Sequence, residues 1–278
     1  MTTPSKPYVL GTGLDELARL AMQAQLWSDA AHAAWLRAGV QLGRRVLDVG
    51  CGPGYASGDL AHLVTNAGEV VGVDESQSFI DHLNTQAKVR GLTNLSGHVG
   101  DVQRLTEHPV LGKQKGTFDA AFARWVLCFV PKPEDVVRSV SAMLKPGGKL
   151  VVFDYFGYQT MALSLPSPAW RAAVDATAAS WRERGGDPDI VGRLPAMFEA
   201  NGMKLEHLQL HHRTARGHEP MFTWLQEWWK TYTPKLVDMG RVTQQQCNDL
   251  LRDLDTVRNS TTHFGVCPPV YEVIAVKI

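Results

Sequence analysis

Three carboxylates and three glycines carry the chemistry this chain can offer. Asp48 lies inside the apolar run Val46-Leu47-Asp48-Val49, which ends in Gly50-Cys51-Gly52-Pro53-Gly54. Asp74 closes a second apolar run, Val71-Gly72-Val73-Asp74, and Asp101 follows a third in Gly100-Asp101-Val102. Glycine at every second position lets a ligand approach the backbone, because there is no Cβ and positive φ is tolerated. A carboxylate about twenty residues past such a turn can accept bonds from both hydroxyls of a ribose. One placed after the third run can accept from an adenine amino group, with the Val102 N–H beside it. Asp48 has two open roles: linkage to the ligand, and satisfying the N–H groups of its own turn.

These groups need elements that hold them on one face. Arg45–Val49, Glu69–Val73, Leu95–Val99, Phe118–Ala123 and Lys149–Tyr155 read as strands. Helices are predicted from Tyr55, over Gln77–Val89 with a stop at Gly91, and over Pro133–Leu144, followed by the tight turn Lys145-Pro146-Gly147-Gly148. Strand and helix in alternation predict an α/β fold with a doubly wound, mostly parallel sheet. All three carboxylates then sit at carboxyl ends of strands, where open α/β sheets bind ligands. The nicotinamide fingerprint G-x-G-x-x-G is not met, because Tyr55 stands where it needs glycine, and no G-x-x-x-x-G-K-[ST] loop is present.

The flanks are helical. Leu14 to Leu36 reads as helix, running into a second helical stretch from Asp29 to Ala38. Beyond the fifth strand, helices are expected over Pro168–Arg184, Ile190–Ala200, Pro220–Tyr232 and Thr243–Asn259, the last capped by Thr243. Leu205–His212 and Tyr271–Ile278 read as two more strands, making seven, with the last antiparallel at or near the sheet edge. Three regions follow. Residues 1–40 form an N-terminal helical arm, residues 41–160 a Rossmann-like core, and residues 161–278 the remaining strands with a helical cap.

Lys plus Arg equal Asp plus Glu at 28 each. That neutrality argues against nucleic acid as the main partner, since phosphate binding needs a basic surface. No apolar run is long enough for a membrane span, and Met1 to Leu10 lacks the charged-then-apolar pattern of a secretory signal. Cys51, Cys128, Cys247 and Cys267 are scattered, without a C-x-x-C pair. They read as reduced thiols in a cytoplasmic protein with no metal site.

Taken in order, Val46 to Gly54, Val71 to Asp74, Gly100-Asp101-Val102, Phe118-Asp119-Ala120-Ala121-Phe122-Ala123-Arg124 and Leu144 to Gly148 resemble the class I S-adenosylmethionine-dependent methyltransferases. The likeness covers roughly residues 40–155 and is closest to the ubiquinone/menaquinone methyltransferase-like, small-molecule branch. Tyr8-Val9-Leu10-Gly11 and Arg19-Leu20-Ala21-Met22-Gln23 are similar to that branch too, where N-terminal helices close over the cofactor. The resemblance implies S-adenosyl-L-methionine as cofactor. Its implied contacts are the backbone of Gly50 and Gly52 to the methionine part, Asp74 to the ribose, and Asp101 with Val102 to the adenine. Arg124 would lie near the methionine end, with Tyr8, Gln23 and Asp48 completing the set. Many relatives carry a histidine pair just after Arg124; this chain has Cys128-Phe129.

The implied reaction is direct displacement of a methyl group onto a small, apolar or aromatic molecule. Such a reaction needs alignment above all, so no catalytic residue is obligatory. Tyr155 and Tyr158 after the fifth strand, and Trp224 and Trp228 four apart on a cap helix, are the candidate substrate contacts, though the plainer reading of Trp224 and Trp228 is a hydrophobic helix packed on the sheet. His263 in Thr262-His263-Phe264-Gly265 is a candidate base. His211 and His212, adjacent on a strand, face opposite sides. Two other readings stand beside this one: a protein that binds the cofactor without methylating, and a nucleic-acid methyltransferase. The apolar cap could also serve a homodimer.

Overall fold

In the computed structural model, which describes residues 13–278, five parallel strands build the ligand-facing sheet. They are β1 (Arg45–Val49), β2 (Glu69–Asp74), β3 (Leu95–Val99), β4 (Phe118–Arg124) and β5 (Leu144–Tyr155). β1 pairs with β2 through Leu47↔Val71 and with β4 through Leu47↔Ala121, so β1 lies at the centre of the five. Their spatial order is β3-β2-β1-β4-β5. The winding direction reverses between β1 and β4, which opens a crevice at the carboxyl ends of those two strands. The glycine run after β1 falls at that crevice.

Two further strands complete the seven. These are β7 (Met203–His211) and β10 (Val270–Lys277), and β10 runs antiparallel between β5 and β7. The last strand is therefore one place in from the edge, and β7 is the edge itself. A separate small sheet joins β6 (Ala162–Leu163), β9 (Phe264–Val266) and β8 (Thr214–Arg216), all antiparallel. Strands of two or three residues have no alternation to read, so sequence periodicity does not reveal them.

The helices begin where local chemistry satisfies their free N–H groups. α3 (Tyr55–Val64) starts directly from Gly54, in left-handed conformation at φ +85°. α4 (Gln77–Val89) is capped by Ser76, α6 (Pro168–Glu183) by Ser167, and α9 (Gln244–Arg258) by a full capping box of Thr243 and Gln246. α5 (Pro133–Met143) opens on Pro133, whose missing N–H costs nothing there. α7 (Leu194–Ala200) follows a 3₁₀ turn at Ile190–Arg193.

Two helical expectations need correction. The N-terminal pattern is broken into α1 (Leu14–Leu26) and α2 (Ser28–Arg37) at Trp27, whose side chain is wholly buried against Trp125 and Trp224. α8 (Pro220–Asp238) continues past Tyr232 and through Pro234. Proline removes one helical hydrogen bond, but Trp229, Tyr232 and Leu236 are all buried on either side of it and hold the helix in place. α6, α8 and α9 pack on one another as the cap, and α1 lies against α8. Among the described residues no helix is long and apolar enough to cross a membrane.

Candidate active site

The three glycines of the corner have different neighbours. A Cβ built on Gly54 would lie 2.5 Å from Leu83 Cγ, and one on Gly50 would lie 2.5 Å from Val126 Cγ2. Those glycines allow helix α4 and the segment after β4 to pack closely. A Cβ on Gly52 meets nothing within 4 Å, although φ is +53°. Protein packing therefore does not demand glycine at 52, and its bare backbone faces open space.

Asp74 is next to that bare backbone. Its Oδ2 accepts the Gly52 N–H at 2.9 Å and its Oδ1 accepts the Ser76 N–H at 2.9 Å. Burial pushes its pKa up, and the two backbone bonds oppose that shift. Each oxygen keeps a second lone pair, so the carboxylate can take two hydroxyl donors while staying fixed. Asp101 caps the 3₁₀ turn Val102–Glu107, accepting from the Gln103 N–H at 2.9 Å, and it lines an open cleft of about 140 Å³ with Gln103 and Lys132. Val102 is buried behind it.

Asp48 turns inward. It is 2 % exposed and accepts a 2.6 Å bond from Ser57 Oγ, which pins the first turn of α3 to β1. Burial raises its pKa to about 6, against the Ser57 bond and the charge of Arg124. Its bond comes from a side-chain hydroxyl of α3 and not from the N–H groups of the glycine turn. Arg124 is half-buried at the end of β4, with its guanidinium carbon 5.3 Å from the Trp125 ring. Burial lowers its pKa to about 10, opposed by Asp48 and Asp59, so it stays protonated at neutral pH. Tyr8 lies outside the described residues. Gln23 lies on α1, where its Oε1 accepts from Trp224 Nε1 at 2.9 Å and from Arg19 Nη1 at 3.2 Å.

The four expected substrate contacts come together in one aromatic cluster. Tyr155 and Tyr158 have ring centroids 5.2 Å apart, and Trp181 lies 4.9 Å from Tyr158 and 6.0 Å from Trp228. Trp125 joins them to the sheet, stacked at 6.2 Å on both Tyr155 and Trp224. Because Val126 sits against Gly50, this cluster adjoins the glycine corner. α1 contributes a buried ion pair, with Arg19 Nε and Nη2 bonding Glu16 at 2.8 and 2.7 Å, and the Arg19 guanidinium lies 5.9 Å from the Trp228 ring.

His263 is placed elsewhere, its Nδ1 3.2 Å from Ser164 Oγ beside the small sheet. His211 stacks on Phe153 at 5.6 Å and bonds Glu272 at 3.0 Å, while His212 is exposed. Asp154, at the end of β5, is fully buried, accepting N–H bonds from Cys128 at 3.1 Å and Tyr155 at 3.0 Å. Among the described residues no three His, Cys, Asp or Glu side chains form a metal-ligating group.

Residues 41–212 match the methyltransferase-domain family. This chain belongs to that family. The methyl donor of such a domain is S-adenosylmethionine, and the residues present fit it: an open backbone at Gly52, a fixed acceptor pair at Asp74, and Asp101 on a cleft. Among curated relatives, the ubiquinone biosynthesis O-methyltransferase of Coxiella burnetii is 37% identical over 108 residues, 39% of this chain and 42% of that protein. The chain thus spans under half the length of that relative. The YcgJ protein of Bacillus subtilis shares the fold at a TM-score of 0.61 and 19% identity, over 89% of this chain and 98% of that one. A geranyl diphosphate methyltransferase, solved with GPP and sinefungin, aligns at 0.56 and 17% identity, over 91% and 78%.

Sequence reasoning did not single out Trp125, Trp27 or Trp181. Trp125 had a signal, since it directly follows the family-like run ending at Arg124. Trp27 and Trp181 had none, because nothing local tells a tryptophan in a site from one in a core.

Proposed function

We propose that this chain transfers a methyl group from S-adenosylmethionine, by direct displacement, to a small apolar or aromatic molecule. The observation that carries the reading is the continuity of the glycine corner with the aromatic cluster, through Val126 on Gly50 and Trp125 on Tyr155 and Trp224. Bound at the corner, the cofactor supplies a methyl group on a sulfonium. The chain's own residues do the rest. Gly52 and Asp74 fix the cofactor's position, while Tyr155, Tyr158, Trp224 and Trp228 hold an apolar partner against it and keep water out. Alignment of this kind can supply roughly 7–11 kcal/mol of barrier reduction.

The N-terminal region acts as a cover. α1 spans from the cofactor helix to the cap, since Tyr55 Oη donates to the Leu17 carbonyl at 3.1 Å and Trp224 donates to Gln23. The C. burnetii and geranyl diphosphate enzymes, by their names, act on small molecules, which supports that substrate class here.

Calorimetric titration with S-adenosylmethionine and, separately, NADH tests the reading. Micromolar binding of the former alone, followed by methyl transfer to an aromatic acceptor, is expected. Binding of NADH instead, or of neither, would refute it. Cofactor binding with no transfer across an acceptor panel would favour the non-methylating alternative.

A further inference from the structure

Among the described residues only two other than glycine have positive φ: Thr65, at an exposed helix end, and Trp125, at +53°. For a bulky side chain this conformation is an outlier, and such outliers cluster where function holds them. Trp125 is also 9 % exposed, and its indole N–H is buried with no hydrogen-bond partner. A buried donor left unpaired is a second cost at the same residue. Both fall at the junction of the cofactor corner and the aromatic cluster.

The surroundings hold an excess of donors. Trp27, in the same cluster, also has a buried indole N–H without a partner. Two carboxylate and amide acceptors nearby are engaged: Glu16 takes two bonds from Arg19, and Gln23 Oε1 takes Trp224 and Arg19. Asp154 is bonded to the backbone of Cys128 and Tyr155. Other unpartnered indoles, Trp35 and Trp229, pack away from this cluster, on Phe122 and Trp170, and have ordinary backbone.

We propose that Trp125 determines specificity by donating its indole N–H to the acceptor molecule. The acceptor accordingly carries a hydrogen-bond-accepting oxygen on its aromatic or apolar body, and not an ammonium group. The ring stacks on Tyr155 and Trp224, so a ligand would meet its N–H edge and not a face. This inference rests on the methyltransferase reading above.

The test uses the full chain saturated with S-adenosylhomocysteine and titrates naphthalene, 1-naphthol, 1-naphthoate and (1-naphthylmethyl)ammonium by calorimetry. Naphthol and naphthoate are expected to bind at least tenfold more tightly than naphthalene, and the ammonium no more tightly. Trp125→Phe keeps an aromatic ring and deletes the donor, so it should erase the oxygen preference, weakening naphthol and naphthoate at least threefold more than naphthalene. Trp125→His should restore part of it. In the unaltered protein, the ¹⁵N-indole resonance of Trp125 should move downfield with naphthoate and not with naphthalene, which reads the same bond should the variants not fold. An oxygen preference that survives Trp125→Phe, a preference for the ammonium, no binding of any probe, or an indole resonance indifferent to naphthoate would overturn the assignment. Failure of S-adenosylhomocysteine itself to bind would instead overturn the methyltransferase reading beneath it.

Discussion

Adding a single methyl group at Gly52 or at Gly54 should separate the site from the scaffold. At Gly52 the added Cβ meets nothing within 4 Å, so the protein bears only the cost of φ +53°. That cost is about 1–2 kcal/mol for a non-glycine residue, offset by roughly 0.4–1 kcal/mol from a less flexible unfolded chain. The expected loss of stability for Gly52→Ala is therefore about 0–1.6 kcal/mol. At Gly54 the same strain applies at φ +85°, and the new Cβ would also lie 2.5 Å from Leu83 Cγ and 2.7 Å from its Cδ1. Overpacking a core in this way adds about 1–3 kcal/mol, so Gly54→Ala should lose about 1–4.6 kcal/mol after the same offset, and more than Gly52→Ala by that added amount. Cofactor affinity should follow a different order. Gly52→Ala puts a methyl on the face that the ligand must approach and should weaken S-adenosylmethionine binding at least tenfold, or about 1.4 kcal/mol. Denaturant melts without ligand give the first quantity and calorimetric titration of each variant gives the second. If Gly52→Ala destabilises as much as Gly54→Ala, or binds the cofactor undiminished, the open face at 52 is not the ligand's face.

Asp74→Ala should weaken cofactor binding more than tenfold, since it deletes charge-assisted bonds to the ribose; an unchanged dissociation constant in the same titration would misplace the ribose. Trp228→Ala should change acceptor affinity more than cofactor affinity, and a variant that only melts at lower temperature would assign that ring to the core. Stability should fall as pH rises from about 4 to about 7. Burial raises the Asp154 pKa from 3.8 to about 7, so the folded protein holds that proton where the unfolded chain has released it. At roughly 1.4 kcal/mol per pH unit the effect is on the order of 4 kcal/mol at most, with Asp48 acting in the same direction up to about pH 6. Urea midpoints across that range should slope downward, and Asp154→Asn should flatten them.

What the sequence discloses depends on how local the cause is. Helix α4 begins and ends where Ser76 and Gly91 say it should, because a cap and a left-handed stop are chemistry of single residues. The Thr243 cap of α9 is legible for the same reason. The break at Trp27 is not, since no glycine or proline marks it and its cause is burial against Trp125 and Trp224, distant in the chain. The overrun of α8 through Pro234 likewise comes from tertiary packing that outweighs a local penalty. In the site, Asp74 and the glycines could be read from motif spacing. The role proposed for Trp125 could not, because it consists of a backbone angle, an unpaired N–H and ring partners drawn from β5, the break between α1 and α2, and α8.

The place of β10 bears on the order in which the molecule can assemble. Its residues 270–277 pair with β5 on one side and β7 on the other. During synthesis the five parallel strands leave the ribosome well before it, so β5 waits with an unpaired rim while more than a hundred residues are added. β7 cannot dock either, since its only neighbour in the large sheet has yet to appear. An unpaired rim is a template for foreign strands, and long-range pairing of this kind closes slowly. The nascent chain is thus most vulnerable to aggregation in that interval, and deleting β10 would remove two rows of backbone bonds, opening one edge of β5 and leaving β7 without a mate.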